Sequence, residues 1–225
     1  MQSIQNPIAK TFIKTVLLGS LLAAANGLAA EKPVLNDWFA LGSGCKAKAD
    51  LPGNVKMESL PQDPARPNVH RVKFSFSGFE LAGDTAPKEV EQFARECAVR
   101  ININPSKTQK IVDVRAQTAV VASKDLGASL DINSELKIGS SSLGAVRKTM
   151  ASTAKVDLTE EKIELSSDGA KGNTLPTLGC GEGKIIGFDF SWIAKRERKK
   201  ITNLSVGLSK EKSLIIEATI GDCKI

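Results

Sequence analysis

The chain has 225 residues, with 31 Lys and Arg against 25 Asp and Glu, a formal charge of +6, no tyrosine and one histidine. A charge of this size bears on solubility and non-specific association, and it excludes a nucleic-acid assignment made on charge alone. With one histidine to share among four cysteines, a zinc site would need four distant thiolates, which argues against metal.

Residues 1 to 14 carry Lys10 and Lys14 and no acid, residues 15 to 25 (TVLLGSLLAAA) carry no charge, and NGLAAEK follows. This order predicts a signal peptide over 1–29, cleaved near Ala29 or Ala30 behind small residues such as Gly27. The apolar run falls short of the roughly 18 residues an anchor requires. Removing Lys10 and Lys14 would leave a mature chain of +4 (6 − 2) starting near Glu31. The expected location is secreted or periplasmic.

The stretch LGSGCKAK, 41–48, has three readings. A lipid-attachment box needs an aliphatic residue at −3, directly after the apolar leader. Here Gly42 holds that position, and Glu31, Lys32, Asp37 and Trp38 intervene. A phosphate-binding nest leads into a helix, whereas KAKADLPGNV leads into a turn at Pro52-Gly53. A tight turn into a strand bearing Cys45 remains. GCGEGK, 179–184, has the same character around Cys180.

Period-two alternation dominates the rest, which is the strand signal. In VHRVKFSF, 69–76, Val72, Phe74 and Phe76 share a face, and Phe79 and Leu81 resume on the other parity past a bulge expected at Gly78. Cys97, Val99, Ile101 and Ile103 share a face. So do Leu130, Ile132, Leu136 and Ile138, then Ile186, Phe188, Phe190 and Trp192, and then Leu204, Val206 and Leu208. Further strands are expected at 54–60, 111–122, 156–165 and 214–220. Helical spacing is confined to APKEVEQFAREC, 86–97, read as one or two turns between strands, while 143–155 reads as a short helix or a loop. SSDGAKGNTLPTLG, 166–179, reads as a long connection. The fold class is therefore all-β: an antiparallel β-sandwich of roughly ten strands with at most one or two short helices, in a single domain over 31–225. Its last strands should pack back on the first sheet, because the 46 residues after the connection (180–225) are too few for a core of their own.

Cys45, Cys97, Cys180 and Cys223 read as two disulfides in an exported chain. Three pairings are open. Cys45 with Cys97 and Cys180 with Cys223 is favoured, because each bridge then closes within its own half of the chain.

Few residues suggest chemistry. KRERKK, 195–200, reads as a hairpin tip whose Lys195, Arg196, Arg198, Lys199 and Lys200 are candidate anion ligands, although in the absence of interleaved aromatics a solvated turn is the favoured reading. His70 lies at a strand head on the parity of Val72, with no G-x-S-x-G, H-E-x-x-H or calcium-loop motif in the chain. Glu160 and Glu161 are placed at a turn and read as solvated. Trp38 is the one aromatic left for stacking on a sugar. No catalytic, cofactor-binding or metal-ligating residue is assigned, and no cofactor is expected.

GSGC (42–45), VKFSFSGFEL (72–81), ECAVRININP (96–105) and the strands of 111–139 together resemble a family of secreted bacterial and fungal proteins of unknown function. The resemblance covers about 41–140 and implies export and the first disulfide. No functional residue comes with it. The expected function is an exported, non-enzymatic binding or structural protein of unknown partner, with an anionic polymer or envelope component as the candidate. The competing reading is a secreted hydrolase or hydrolase inhibitor.

Overall fold

The computed structural model describes residues 37–48, 53–83, 90–167, 175–196, 203–209, 211 and 213–224. Thirteen strands run in chain order: β1 (Trp38–Leu41), β2 (Lys46–Lys48), β3 (Val55–Ser59), β4 (Val69–Phe76), β5 (Glu80–Ala82), β6 (Gln92–Ile103) and β7 (Gln109–Lys124). β8 (Ser129–Ile138), β9 (Ser141–Met150), β10 (Val156–Ser166), β11 (Lys184–Lys195), β12 (Leu204–Leu208) and β13 (Ser213–Asp222) complete them. They form two antiparallel sheets packed as a sandwich, with no helix among the described residues. Glu31–Ile225 makes one compact unit.

The smaller sheet has the order β2-β1-β6-β11-β8-β9. In the larger, β3 pairs β4, β4 pairs β13, and β7 pairs β13, β12 and β10, with β5 on β12. Register simplifies this arrangement. β13 lies along Gln109–Thr118 of β7 and β12 along Val120–Lys124, while β10 lies along Arg115–Lys124. A strand has two edges, so β12 and β13 follow one another on one edge of β7 and β10 takes the other. β4 and β5 likewise follow one another on the far side of β13 and β12. The parity change at Gly78 is thus a full break between strands on one line, not a bulge, and Gly78 turns there at φ +74°.

β11 occupies a central place in the small sheet and β13 one in the large, which is why the C-terminal residues need no core of their own. Their alternation points Ile186, Phe188, Phe190, Trp192, Leu214, Ile216 and Ala218 inward, all essentially buried. Aromatic rings join the sheets: Phe76 meets Phe190 edge-on at 5.7 Å, and Phe79 lies 4.3 Å from Trp192. Each buried ring contributes about 1.5–3 kcal/mol through the apolar surface it removes from water.

Two expectations change. Residues 92–97 of the expected helical turns are β6, and 84–89 lie outside the described residues. Residues 141–150 are β9, neither helix nor loop. Pairing overrides propensity in both. β6 gains β1 and β11 as partners, and in β9 Val146, Lys148 and Met150 pair opposite Ser134, Ile132 and Leu130.

Candidate functional site

GSGC is a structural fitting. The Gly44 N–H donates to the Glu96 carbonyl (2.9 Å), the Glu96 N–H donates to Ser43 Oγ (3.0 Å), and Arg95 donates to the Ser43 carbonyl (2.8 Å). A Cβ on Gly44 would strike the Phe79 ring, and one on Gly42, at φ +153°, would strike the Glu96 carbonyl. The chain passes too close to β6 and Phe79 for any side chain. Cys45 then bonds Cys97 on the inward face of β6, both buried. Asn54 fastens the same corner across the sheets, accepting from the Lys46 N–H and donating to the carbonyls of Gly44 and Ser77 at 2.8–3.0 Å.

Cys180 pairs with Cys223, so a bridge joins the approach to β11 in one sheet to the end of β13 in the other. The glycine-rich amides nearby are committed: Gly181 N–H donates to the Gln109 carbonyl, and Gly179 N–H to Glu182, which also pairs with Lys184. Those bonds, led by the one from Lys184, hold the Glu182 carboxyl below its ordinary value. The Glu182 carboxylate thus takes the Gly179 amide that an anion would have to use.

The basic run divides. Lys195 ends β11 exposed, but Arg196 is only 7% exposed. Its guanidinium donates to the carbonyls of Gly83 (2.7 Å) and Val90 (3.1 Å) and lies 5.5 Å from the Phe93 ring. Arg198, Lys199 and Lys200 lie outside the described residues. The remaining candidates are also placed by packing. Trp38 sits half-buried with its ring 5.5 Å from Phe74, held edge-on against the core. Glu160 and Glu161 lie within β10, not at a turn, and point to opposite faces, with Glu161 paired to Lys148 of β9 across the seam between the sheets. His70 is half-buried beside Ala218 on β13.

Two polar arrangements were not legible beforehand. On the outer face of the small sheet, Asp189 receives Arg100 at 2.5 Å and Lys137 at 2.8 Å, and Lys137 also meets Glu135 at 2.9 Å. Partial burial pushes the Asp189 carboxyl up, but the hydrogen bonds from Arg100 and Lys137 outweigh it, and the net shift is downward. Lys137 is raised, chiefly by its bonds to Asp189 and Glu135. The Arg100 guanidinium lies across Gly187, where a side chain would displace it. At the end of β7, Lys124 is only 2% exposed and bonds the Ala154 carbonyl. Loss of hydration lowers its pKa, and Asp125 offsets part of the effect.

The outer face of the large sheet carries a concavity of about 830 Å³ over Ala119 and Val121 of β7. Irregularities on both sides of β7 build it. On one side β10 bulges between Val156 and Thr159, which leaves Leu158 75% exposed above the floor. On the other, the break between β12 and β13 brings Ser209 and Glu211 to the wall. Glu160 and Lys162 stand along the β10 side, and a second hollow of about 250 Å³ continues past Gln117, Glu164 and Ile215. Bulges often sit beside functional sites because they re-aim side chains. Volumes of this order suit ligand binding.

Comparison with known proteins adds no family. No family model matches the chain, and no curated protein matches it at a significant level.

Proposed function

We propose that this chain is an exported, non-enzymatic binding or structural protein that works in an oxidising compartment, in contact with an anionic polymer or envelope component. The observation that carries the reading is the pair of disulfides, one pinning the GSGC corner to β6 and one joining the two sheets. Bridges of this kind persist outside the reducing cytoplasm. The leader-like residues 1–29 and the GSGC and ECAVRININP resemblance support the same location. The hydrolase reading needs converging acids, and the adjacent pair Glu160 and Glu161 diverges to opposite sides of β10.

The polyanion part of the proposal rests on Lys195 and the cations that follow Arg196. Arg196 itself is tied to Gly83 and Val90. Elution of the mature protein from heparin with a salt gradient tests it. Replacing Lys195, Arg198, Lys199 and Lys200 with Ser should lower the eluting salt, since each lost contact reduces counterion release. R196A should instead lower stability by about 1–3 kcal/mol through its lost carbonyl partners. Unchanged elution of the four-residue variant overturns the polyanion assignment.

A further inference from the structure

We infer that the outer face of the small sheet joins a second copy of this chain, about a twofold axis that crosses the strands between Gly187 and Asp189. The inference goes beyond the polyanion reading and uses other residues, so the two can fail independently.

Register orders this face into two rows. One row carries Phe39 on β1, Arg100 on β6, Gly187 on β11 and Lys137 on β8. The next, two residues along each strand, carries Leu41, Ala98, Asp189 and Glu135. The cations of the Asp189 cluster thus share one row and its carboxylates the other.

A twofold axis between the rows lays each row of one copy on the opposite row of the second, which is the self-complementary contact that this symmetry demands. Lys137 of one copy then stands against Glu135 of the other. The Arg100 guanidinium, lying across Gly187, stands against Asp189, and Phe39 against Leu41. Within each copy Asp189 is already bonded to Arg100 and Lys137, and Lys137 to Glu135, so closing the face leaves no member of the cluster as an unpaired charge. Lys46, exposed on β2, extends the row of Leu41 at the rim, where solvent screens it.

The apolar side chains point the same way. WFAL on β1 is apolar on both sides: Ala40 is buried in the core, while Phe39 and Leu41 are 37% and 48% exposed outside. Continuous apolar runs of this kind belong to strands covered on both faces. Ile185 on β11, 46% exposed, stands next to Gly187 on the outer parity. Three of the six large apolar side chains exposed among the described residues therefore gather on this face. At the strand rise and spacing, the part of the sheet that overlaps its copy measures about 600 Å², or about 1,200 Å² for the pair, where specific stable interfaces begin.

The test is sedimentation velocity of the purified mature protein. The expected result is a dimer at about 100 µM chain, with a dissociation constant that rises at least about 10-fold in L41E and in K137E. E135K/K137E exchanges the signs of the two rows on β8, and should return the constant to within about 3-fold of wild type. Leu41, Glu135 and Lys137 all reach solvent, and thermal unfolding of each variant verifies that the fold is kept. A monomeric wild type, or a dimer that L41E leaves unchanged, overturns the inference. A dimer that E135K/K137E does not restore overturns the twofold pairing of the rows. A wild-type monomer that sediments with phosphatidylcholine vesicles, and ceases to in L41E, would replace the second copy with a lipid surface. All of these results are read without heparin and leave the polyanion reading to its own test.

Discussion

Removing the inter-sheet bridge is the perturbation whose size can be worked out most directly. Cys180 and Cys223 are separated by 43 residues, and in the chain-entropy relation a loop of that length restricts the unfolded state by about 4 kcal/mol at 25 °C. The folded state loses little on C180S/C223S, because the same corner is held by Gly181 N–H on the Gln109 carbonyl and Cys223 N–H on the Thr108 carbonyl, both at 2.8 Å. The destabilisation should therefore come through the unfolded chain, about 4 kcal/mol, or roughly 10 °C in Tm for a domain of this size. Urea titration of wild type and double variant, monitored by the Trp fluorescence of the core, gives the difference. The urea slope should rise in the variant, because its unfolded chain expands further. A Tm within 2 °C of wild type, or equal stability in urea, would show that the bridge closes no loop the fold depends on, and the reasoning would fail.

Three further outcomes are expected. G44A should cost about 1–3 kcal/mol through the clash of its methyl group with the Phe79 ring, measured by the same titration; a loss below 0.5 kcal/mol would contradict the close approach. D189N leaves Arg100 and Lys137 without their shared carboxylate, for a loss of about 1–2 kcal/mol at pH 7. Since the folded Asp189 pKa lies below 3.8, its stabilisation is full above that pH and disappears as pH falls through the folded value, so the gap between wild type and D189N should close in acid. Lys124 has the same slope with pH, in an alkaline window. Its folded pKa lies below 10.5, the unfolded state binds the extra proton, and wild type should gain stability relative to K124M as pH rises toward 10.5; a pH-independent difference would remove that account.

Strand periodicity made most of the fold legible. Alternation in VHRVKFSF and in IIGFDFSWIA assigned the inward faces of β4 and β11, and compartment and loop closure picked the two bridges. The short β1 escaped because four residues carry no period, and it is defined by its pairing with β2 and β6. β9 escaped because its exposed face, Ala145, Arg147 and Thr149, and its small residues look like a loop without β8 beside them. The candidate site was legible only in part. KRERKK reads as one charged run, but Arg196 falls on the inward parity of β11 and its partners Gly83 and Val90 are distant in the chain. The groove had no local signature, because it arises where a bulge in β10 and a break between β12 and β13 meet on opposite edges of β7.

The central claim is that a disulfide-braced sandwich acts outside the cytoplasm, and one measurement addresses it directly: mass mapping, without reduction, of the protein recovered from cells expressing the full 225-residue chain. The account predicts a mature N-terminus at Ala30 or Glu31, with Cys45 joined to Cys97 and Cys180 to Cys223, in the periplasmic or culture fraction. A cytoplasmic chain that retains residues 1–29 and yields four free thiols would contradict it.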